Sequence, residues 1–256
     1  MRHPRIWLRF SIVVCTALLC CSIGSGLAQQ AQPKPPIKQK LQQPEKKPSI
    51  KQTLQKHERP TTSKRKRGGG LRPEMFERPN RHQWQKPELV IKHMGVRPGQ
   101  VIADIGAGSG YFTRRFAKAV GNSGIVYACD VDEKMLRYIQ NDCKKRAIHN
   151  VVTVLAAQWS PMLPPRSVDI VFLCNTNHHI KDRVTYYRNL KKVFKPGGKL
   201  VIVDLFKHKK FGPPPEHKLA REVVLKELAE AGYKLIEDNV ELLPNQYYLV
   251  FEPTCE

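Results

Sequence analysis

Residues 101–110 are Val-Ile-Ala-Asp-Ile-Gly-Ala-Gly-Ser-Gly, a short apolar strand that ends in an acid and continues into a loop with glycine at every second position. The residues that follow, 111–120, place Phe112, Phe116 and Val120 on one face at helical spacing. Glycine has no Cβ and tolerates positive φ, so a strand, a glycine loop and a helix in succession bring the backbone close to a ligand. This order predicts a nucleotide-binding α/β unit.

The spacing of the glycines separates the possible nucleotide cofactors. A dinucleotide fingerprint is G-x-G-x-x-G, but here Gly106 and Gly108 are followed by a third glycine one residue early, at Gly110, and then by Tyr111. A P-loop is excluded, because no Gly-Lys-Ser or Gly-Lys-Thr closes the loop. Neither of these phosphate-binding motifs therefore fits the loop.

A second acid strengthens the nucleotide interpretation. The apolar strand 125–129 leads into Asp130, twenty residues beyond Gly110, where an α/β nucleotide fold places a carboxylate that holds a ribose diol. The two oxygens of a carboxylate match two vicinal hydroxyl groups. Alternatively, Asp130 caps the helix that begins near Glu133, and the two roles are compatible.

Together these residues resemble motif I of the class I S-adenosylmethionine-dependent methyltransferases, in particular those of ubiquinone biosynthesis and other small-molecule enzymes. The residues that carry the resemblance are an acid, three alternating glycines and the second acid: Asp104, Gly106, Gly108, Gly110 and Asp130. The downstream run Lys195-Pro196-Gly197-Gly198-Lys199 agrees with it. The resemblance implies S-adenosyl-L-methionine as cofactor, bound by these five residues, and an in-line methyl transfer to a small-molecule acceptor. The alternative is an inactive module that keeps the fold and binds an anionic surface.

The chain beyond residue 78 alternates helices and strands. Helices are expected at 87–94, 111–120, 133–147, 183–194 and 220–231, and strands at 101–104, 125–129, 151–155, 168–173, 200–203, 234–242 and 247–251. Strands separated by helices require a parallel sheet with right-handed crossovers, and the final hairpin must add an antiparallel strand. The expected fold class is therefore α/β, a Rossmann-like, mostly parallel seven-stranded sheet. The resemblance implies the strand order 3-2-1-4-5-7-6.

Further cofactor contacts are expected beyond the carboxyl ends of the strands, where ligands of open parallel sheets bind. The resemblance places Val131 beside the adenine, after strand two. After strand three, Ala157 and Gln158 stand where the family often has an acid that reaches the adenine amino group. After strand four, it places Asn175 in contact with the cofactor.

Two adjacent histidines, His178 and His179, follow strand four, where the resemblance expects a segment that faces both cofactor and acceptor. Either histidine is a candidate general base, because imidazole titrates near neutral pH. Alternatively, one histidine caps the helix near Asp182 and the other packs. A base is not obligatory, because the sulfonium is already a good leaving group and positioning can supply most of the acceleration.

Two segments border the expected acceptor site. Residues 80–87 precede the first strand, and Trp84 within them either stacks on a substrate or fills the core. Residues 207–215 follow the fifth strand and carry four basic or histidine side chains, consistent with an anionic acceptor or with an ordinary solvated loop.

The N-terminus has the layout of a secretory signal peptide. Three arginines within the first nine residues precede the apolar run 12–19, and small residues at 26 and 28 occupy the positions of a cleavage site. We expect residues 1–28 to be removed and the protein to be exported. The alternative is that residues 10–28 remain as a membrane anchor.

Residues 29–72 are rich in Gln, Lys and Pro and predict a disordered linker ahead of a methyltransferase domain at 73–256. The formal net charge of the chain is +22, and residues 1–72 hold 16 Lys and Arg against only 2 acids. Contact of residues 34–67 with an anionic surface is one expectation, and a solvated spacer is the other. No specific nucleic-acid motif is present.

Seven cysteines suggest a metal site until their positions are considered. Three lie in the first 28 residues, and the others are Cys129, Cys143, Cys174 and Cys255, without a C-x-x-C pair or a Cys/His cluster of metal-ligand spacing. A metal site is therefore not expected. Cys129 and Cys174 end strands and are expected to be small core residues.

Overall fold

The computed structural model describes residues 72–254. The predicted signal peptide and the linker up to residue 71 lie outside the described residues. The helices are α1 (Arg81–Gln85), α2 (Pro87–His93), α3 (Thr113–Val120), α4 (Glu133–Lys145), α5 (Arg183–Leu190) and α6 (Arg221–Glu230). The strands are β1 (Val101–Ile105), β2 (Ile125–Asp130), β3 (Val151–Leu155), β4 (Val168–Cys174), β5 (Phe194–Leu205), β6 (Tyr233–Asn239) and β7 (Gln246–Pro253). Short 3-10 helices lie at Pro73–Phe76, Asn177–His179, Lys191–Val193 and Pro215–His217.

The strands form one seven-stranded sheet in the order β3-β2-β1-β4-β5-β7-β6. Strands β1 to β5 pair in parallel, whereas β7 pairs antiparallel with both β5 and β6. The expected fold class, strand order and antiparallel hairpin are therefore confirmed.

Alternate residues of each central strand bury their side chains in two different cores, one on each face of the sheet. On one face, Phe172 of β4 packs with Phe112 and Phe116 from the segment that leads into and forms α3. On the other face, Leu173 shares a core with Tyr187 of α5 and residues of α6. Burial on both faces explains why these strands are apolar throughout rather than alternating.

The helix expected at 183–194 is wrong at its C-terminal end. Helix α5 ends at Leu190, a 3-10 turn follows, and Phe194 begins β5. The aromatic ring of Phe194 packs against Tyr233 rather than along the helix. The helical spacing of Phe194 is therefore incidental, because its position is decided by pairing of Phe194 with Val168 in β4. Other helix ends differ from expectation by two residues or fewer.

The 195–199 run lies at the amino end of β5, within a register shift against β4. The Lys195 ammonium donates to Asp169 at 2.7 Å, and the same carboxylate oxygen accepts the Val101 N–H at 2.7 Å. Lys195 therefore links the amino ends of β1, β4 and β5 through Asp169, at the edge of the sheet opposite to the glycine loop. It therefore has a structural role rather than a place in the cofactor site.

The second strand of the terminal hairpin begins at Gln246, and the first ends at Asn239 rather than at residue 242. The Asn239 amide oxygen accepts the N–H groups of Glu241 and Leu242, which turns the backbone out of the strand. Within residues 72–254, no helix combines the length and the apolar composition needed to cross a membrane.

Candidate functional site

The order of the strands reverses between β1 and β4. In open α/β sheets, the crevice that binds ligands lies at such a switch point, at the carboxyl ends of the strands. The glycine loop follows β1, and residues 175–179 follow β4, so both segments border the same crevice. Their contact is direct, because the Thr176 hydroxyl donates to the carbonyl of Cys174 at 3.1 Å and lies 3.5 Å from the carbonyl of Gly106.

Each glycine of the loop has a positive φ, but the space around the three differs. A Cβ on Gly106 would overlap the side chain of Thr176, and a Cβ on Gly110 would lie 2.9 Å from Ile139. At Gly108, with φ of +56°, the nearest atom is the carbonyl oxygen of Gly106 at 4.0 Å. Gly106 and Gly110 thus allow the loop to pack against the protein, whereas the open space at Gly108 leaves room for a ligand.

Asp130, at the end of β2, is almost completely buried and faces the glycine loop. One carboxylate oxygen accepts the Gly108 N–H at 2.8 Å, and the other accepts the Asp132 N–H at 2.9 Å. Each oxygen retains a second acceptor position, so the pair can still accept the hydroxyls of a ribose diol. The helix cap is Asp132, which accepts the Lys134 N–H, so the cap suggested for Asp130 is wrong. Burial raises the pKa of Asp130, against the effect of these N–H donors.

Asp104 is buried at the start of the loop and accepts the Thr113 hydroxyl at 2.6 Å. Burial raises the pKa of Asp104 to about 6, and the Thr113 hydrogen bond and the charge of Arg81 only partly oppose that rise. Asp104 thus ties the loop to the first turn of α3. It also places a carboxyl group that ionises near neutral pH beneath the cofactor loop.

Two arginines enclose the aromatic ring of Tyr111, which follows the last glycine. The guanidinium carbons of Arg81 and Arg115 lie 3.9 and 4.0 Å from the ring centroid. Arg81 also donates to the carbonyl of Phe76 at 2.7 Å, and burial lowers its pKa. The Tyr111 hydroxyl is buried and has no hydrogen-bond partner among the described residues. A cation and an unpaired hydroxyl therefore lie beside the glycine loop.

A second contact joins the N-terminal segment to the loop. The Glu77 carboxylate accepts the Ser109 hydroxyl and an Arg114 N–H, each at 2.6 Å. Arg114 also donates to the Ser109 carbonyl at 2.8 Å and pairs with Asp142 of α4 at 3.2 Å. The conformation of the glycine loop therefore depends on residues about thirty positions earlier in the chain.

The residues expected around the adenine lie at the ends of β2 and β3. Val131 is 52% exposed, as an apolar wall for a ligand requires. The Ala156 N–H donates to the Asp130 carbonyl at 2.9 Å, which brings the loop after β3 next to Asp130. Ala157 pairs with Ser160 across a tight turn, and Gln158 is exposed at that turn. The sheet thus brings Val131 and Ala157 close to Asp130.

Asn175 has a φ of +53° and begins the segment after β4. Its side-chain oxygen accepts from Gln246 at 2.9 Å, and the oxygen of Gln246 in turn accepts from Gln85 at 3.2 Å. Gln85 also donates to the sulfur of Cys174 at 2.8 Å. Both glutamines are fully buried. This chain of amides links α1, β7 and β4 and fixes the position of Asn175.

The two histidines have different surroundings. His178 Nδ1 lies 3.3 Å from both carboxylate oxygens of Asp204, and the His178 side chain is 12% exposed. His179 is exposed, and its ring centroid lies 4.2 Å from that of His178. Desolvation, followed by the charges of His178 and His217, lowers the pKa of His179. Neither histidine caps α5, because the cap is the Asp182 carboxylate.

The segments expected to border the acceptor meet each other. Trp84 packs edge-on against Phe211 of the basic loop, with ring centroids 4.9 Å apart, so its first partner is a protein side chain. A cavity of 610 Å³ lies at the base of this loop. It is lined by apolar and basic side chains that include Phe206, Lys207 and Arg221.

The cysteines and acids of residues 72–254 form no cluster that could hold a metal ion. Cys129 and Cys143 are buried free thiols, and Cys174 is a free thiol beneath Asn175. Burial raises the pKa of Cys174 to about 12, so the thiol is neutral and acts as a small core residue. Cys255 lies outside the described residues.

Comparison with known proteins gives consistent likenesses. The sequence model of a methyltransferase domain matches residues 103–202. The chain is 25% identical over 177 residues to the ubiquinone/menaquinone biosynthesis C-methyltransferase UbiE of Shewanella sp. (strain W3-18-1), which covers 64% of this chain and 67% of that enzyme. A crystal structure of a SAM-dependent methyltransferase from Aquifex aeolicus is 29% identical, with a TM-score of 0.67, and covers 71% of this chain and 98% of that one. A type 11 methyltransferase from Sulfolobus solfataricus, 18% identical with a TM-score of 0.55 over 68% and 94% of the two chains, shares the fold.

The strand order, the glycine loop at the switch point and these likenesses support a class I S-adenosylmethionine-dependent methyltransferase. S-adenosyl-L-methionine is the cofactor of this class. The residues present suit that cofactor, because space is open at Gly108 and Asp130 keeps acceptor positions for a diol. The alternative of an inactive binding module gains no support from these observations.

Sequence reasoning missed several residues of this site, above all Arg81, Glu77 and Asp204. For Asp204 a signal was present, because the fifth strand ends in Asp-Leu just as the first ends in Asp-Ile. Three acids thus stand at carboxyl ends of strands that border one crevice. For Arg81 and Glu77 the sequence offers no comparable signal, since their contacts depend on how the N-terminal segment folds back over the loop.

Proposed function

We propose that this protein transfers the methyl group of S-adenosyl-L-methionine to a small-molecule acceptor bound beside residues 175–179. The observation that carries the proposal is Asp130, whose buried carboxylate is held by the Gly108 N–H at the edge of an open space. The likeness to UbiE, a ubiquinone/menaquinone biosynthesis C-methyltransferase, supports a small molecule as the acceptor. When bound, the cofactor supplies an electrophilic methyl group on a positively charged sulfur.

The roles of the chain's residues follow from their positions. Gly106, Gly108 and Gly110 would admit the cofactor to the backbone, and Asp130 would hold its ribose. Arg81, with the unpaired Tyr111 hydroxyl beside it, would receive the carboxylate of the methionine portion, because the guanidinium provides a countercharge at the loop. Val131, Ala157 and Gln158 would contact the adenine, and Asn175 would contact the centre of the cofactor.

Calorimetric titration of the full chain with S-adenosylhomocysteine tests the cofactor site. Asp130→Ala should weaken binding by about 1.5–3 kcal/mol, because it removes a charged hydrogen-bond acceptor. Asp132→Ala is the matched control, since Asp132 is a neighbouring acid that caps the N-terminus of α4. It should lower stability by about 1 kcal/mol and leave affinity nearly unchanged. Binding of NAD without binding of S-adenosylhomocysteine would contradict the assignment.

Transfer of a radiolabelled methyl group by the purified protein to components of a cell extract tests the acceptor class. Label in material that partitions into organic solvent is the expected result. Label in protein or RNA would redirect the assignment to a macromolecular acceptor. Absence of any label from a protein with proven affinity for S-adenosylhomocysteine would favour the inactive module.

We further propose that the mature enzyme is exported, which N-terminal sequencing tests: a start at Gln29 is expected, and a soluble cytoplasmic protein that retains Met1 would contradict it.

A further inference from the structure

His178 and Asp204 form a pair that neither the cofactor site nor the packing of the core requires. Asp204 is the penultimate residue of β5, and only 1% of its side chain is exposed. An isolated ionised carboxylate at such a position is costly. Its hydrogen-bond donors are the Leu205 N–H, at 2.8 Å, and the Nδ1 atom of His178, 3.3 Å from each oxygen. The carboxylate therefore holds the imidazole ring at its Nδ1 atom.

The position of the pair points to a reaction at the crevice. His178 stands three residues after Asn175 and two after Thr176, which contacts the glycine loop. Since β4 borders the switch point and β5 is its neighbour, the imidazole lies at the edge where the methyl donor of the proposed function would bind. With Nδ1 held by Asp204, Nε2 is the nitrogen left to accept a proton, and it has no hydrogen bond to any residue in the range 72–254.

We infer that His178 Nε2 is the general base of the methyl transfer, that Asp204 is its positioning residue, and that the acceptor carries an acidic hydroxyl group. This inference rests on the proposed function and names its substrate class. The hydroxyl gives its proton to His178 Nε2. The resulting oxyanion, or a carbon conjugated to it, forms a bond to the methyl carbon while the bond from that carbon to sulfur breaks and its electron pair remains on sulfur. A second proton from the acceptor carbon, where carbon is methylated, passes to solvent.

The surroundings distinguish His178 from His179. His179 is exposed and makes no hydrogen bond to a carboxylate within residues 72–254. Its pKa is lowered by desolvation and by the charges of His178 and His217, and the charge of Asp204 only partly opposes this. The titratable groups around the pair are His179 on the same turn and, around Asp204, the buried thiol of Cys174 and the buried hydroxyls of Tyr187 and Tyr247. Both tyrosines stay neutral near pH 7, because burial raises their pKa values, so they add no negative charge beside Asp204.

The test uses three variants of the full chain, His178→Gln, Asp204→Asn and His179→Gln, with labelled transfer to the organic-soluble fraction of a cell extract as the readout. His178→Gln should lower the rate about 10²- to 10⁴-fold, the usual contribution of a general base. Asp204→Asn should lower it by about tenfold or more, because the imidazole remains but loses its fixed tautomer. His179→Gln should retain most of the rate. Affinity for S-adenosylhomocysteine should be unchanged in all three.

The pH profile separates a base from a structural residue. In His178→Gln, the rate should increase with pH over the range where the wild-type rate is constant, because the acceptor must then ionise without help. Parallel profiles for His178→Gln and wild type, or equal losses for His178→Gln and His179→Gln, would overturn the inference while leaving the proposed function intact. A wild-type protein that binds S-adenosylhomocysteine but labels nothing would instead refute the proposed function.

Discussion

Among alanine substitutions of the three loop glycines, Gly106→Ala should cause the largest loss of unfolding free energy. Its Cβ would overlap Oγ1 and Cγ2 of Thr176 and lie 2.8 Å from Thr176 Cβ, and the residue would keep a φ of +71°. Left-handed backbone at a residue with a Cβ costs about 1–2 kcal/mol. Overpacking against a held side chain adds about 1–3 kcal/mol. The expected loss of unfolding free energy is therefore about 2–5 kcal/mol.

Gly108→Ala provides the matched control, because its φ is also positive but its Cβ would meet nothing closer than the Gly106 carbonyl at 4.0 Å. It should cost only the backbone strain, about 1–2 kcal/mol. The double variant Gly106→Ala with Thr176→Ala removes the two overlapping atoms and should recover part of the loss.

Urea denaturation of the full-length proteins at pH 7, without cofactor, measures these differences. Equal losses of stability for Gly106→Ala and Gly108→Ala, or no recovery in the double variant, would refute the argument that the loop is set by contact with the segment after β4. In that case backbone conformation alone would account for the glycine pattern.

Two further predictions concern the charges around the loop. Burial raises the pKa of Asp104 to about 6, so between about pH 4 and 6 the folded state holds a proton that the unfolded state releases, and the contribution of this group to stability is lost as the pH rises through that window. The unfolding free energy of Asp104→Asn, relative to that of the wild type, should therefore increase by about 3 kcal/mol from pH 4 to pH 7. Urea melts of the cofactor-free proteins measure this difference, and a difference that does not depend on pH would contradict the prediction. Glu77→Ala removes the oxygen that accepts from Ser109 and Arg114 and should cost about 1–3 kcal/mol and weaken binding of S-adenosylhomocysteine. The exposed Glu88→Ala should cost less than about 1 kcal/mol in the same melts, and similar losses for the two would show that the loop does not depend on Glu77.

The sequence predicted the fold because both-sided burial leaves a local signature. Strands at 101–104 and 168–173 that are apolar apart from Asp104 and Asp169, separated by amphipathic helices, are typical of a parallel sheet covered on both faces. The glycine loop was also predictable from the sequence, because a positive φ and the close approach of other atoms to the backbone restrict those positions to glycine. Phe194 shows the limit of such patterns. It stands at helical spacing from Leu190 and Tyr187, but pairing with Val168 places it in strand β5.

The sequence by itself thus determined the strands, the glycine loop and, through the resemblance, the class of cofactor, because these features leave local patterns of apolar residues and glycines in the chain. Only the tertiary structure decided that Asp132 rather than Asp130 caps α4, and that Glu77 fastens Ser109. It also paired His178, in the 3-10 helix after β4, with Asp204, which stands twenty-six residues away on β5. The physical reason is that a hydrogen bond or ion pair depends on distances of about 3 Å, and distances between separate elements are set by how the whole sheet and its helices pack.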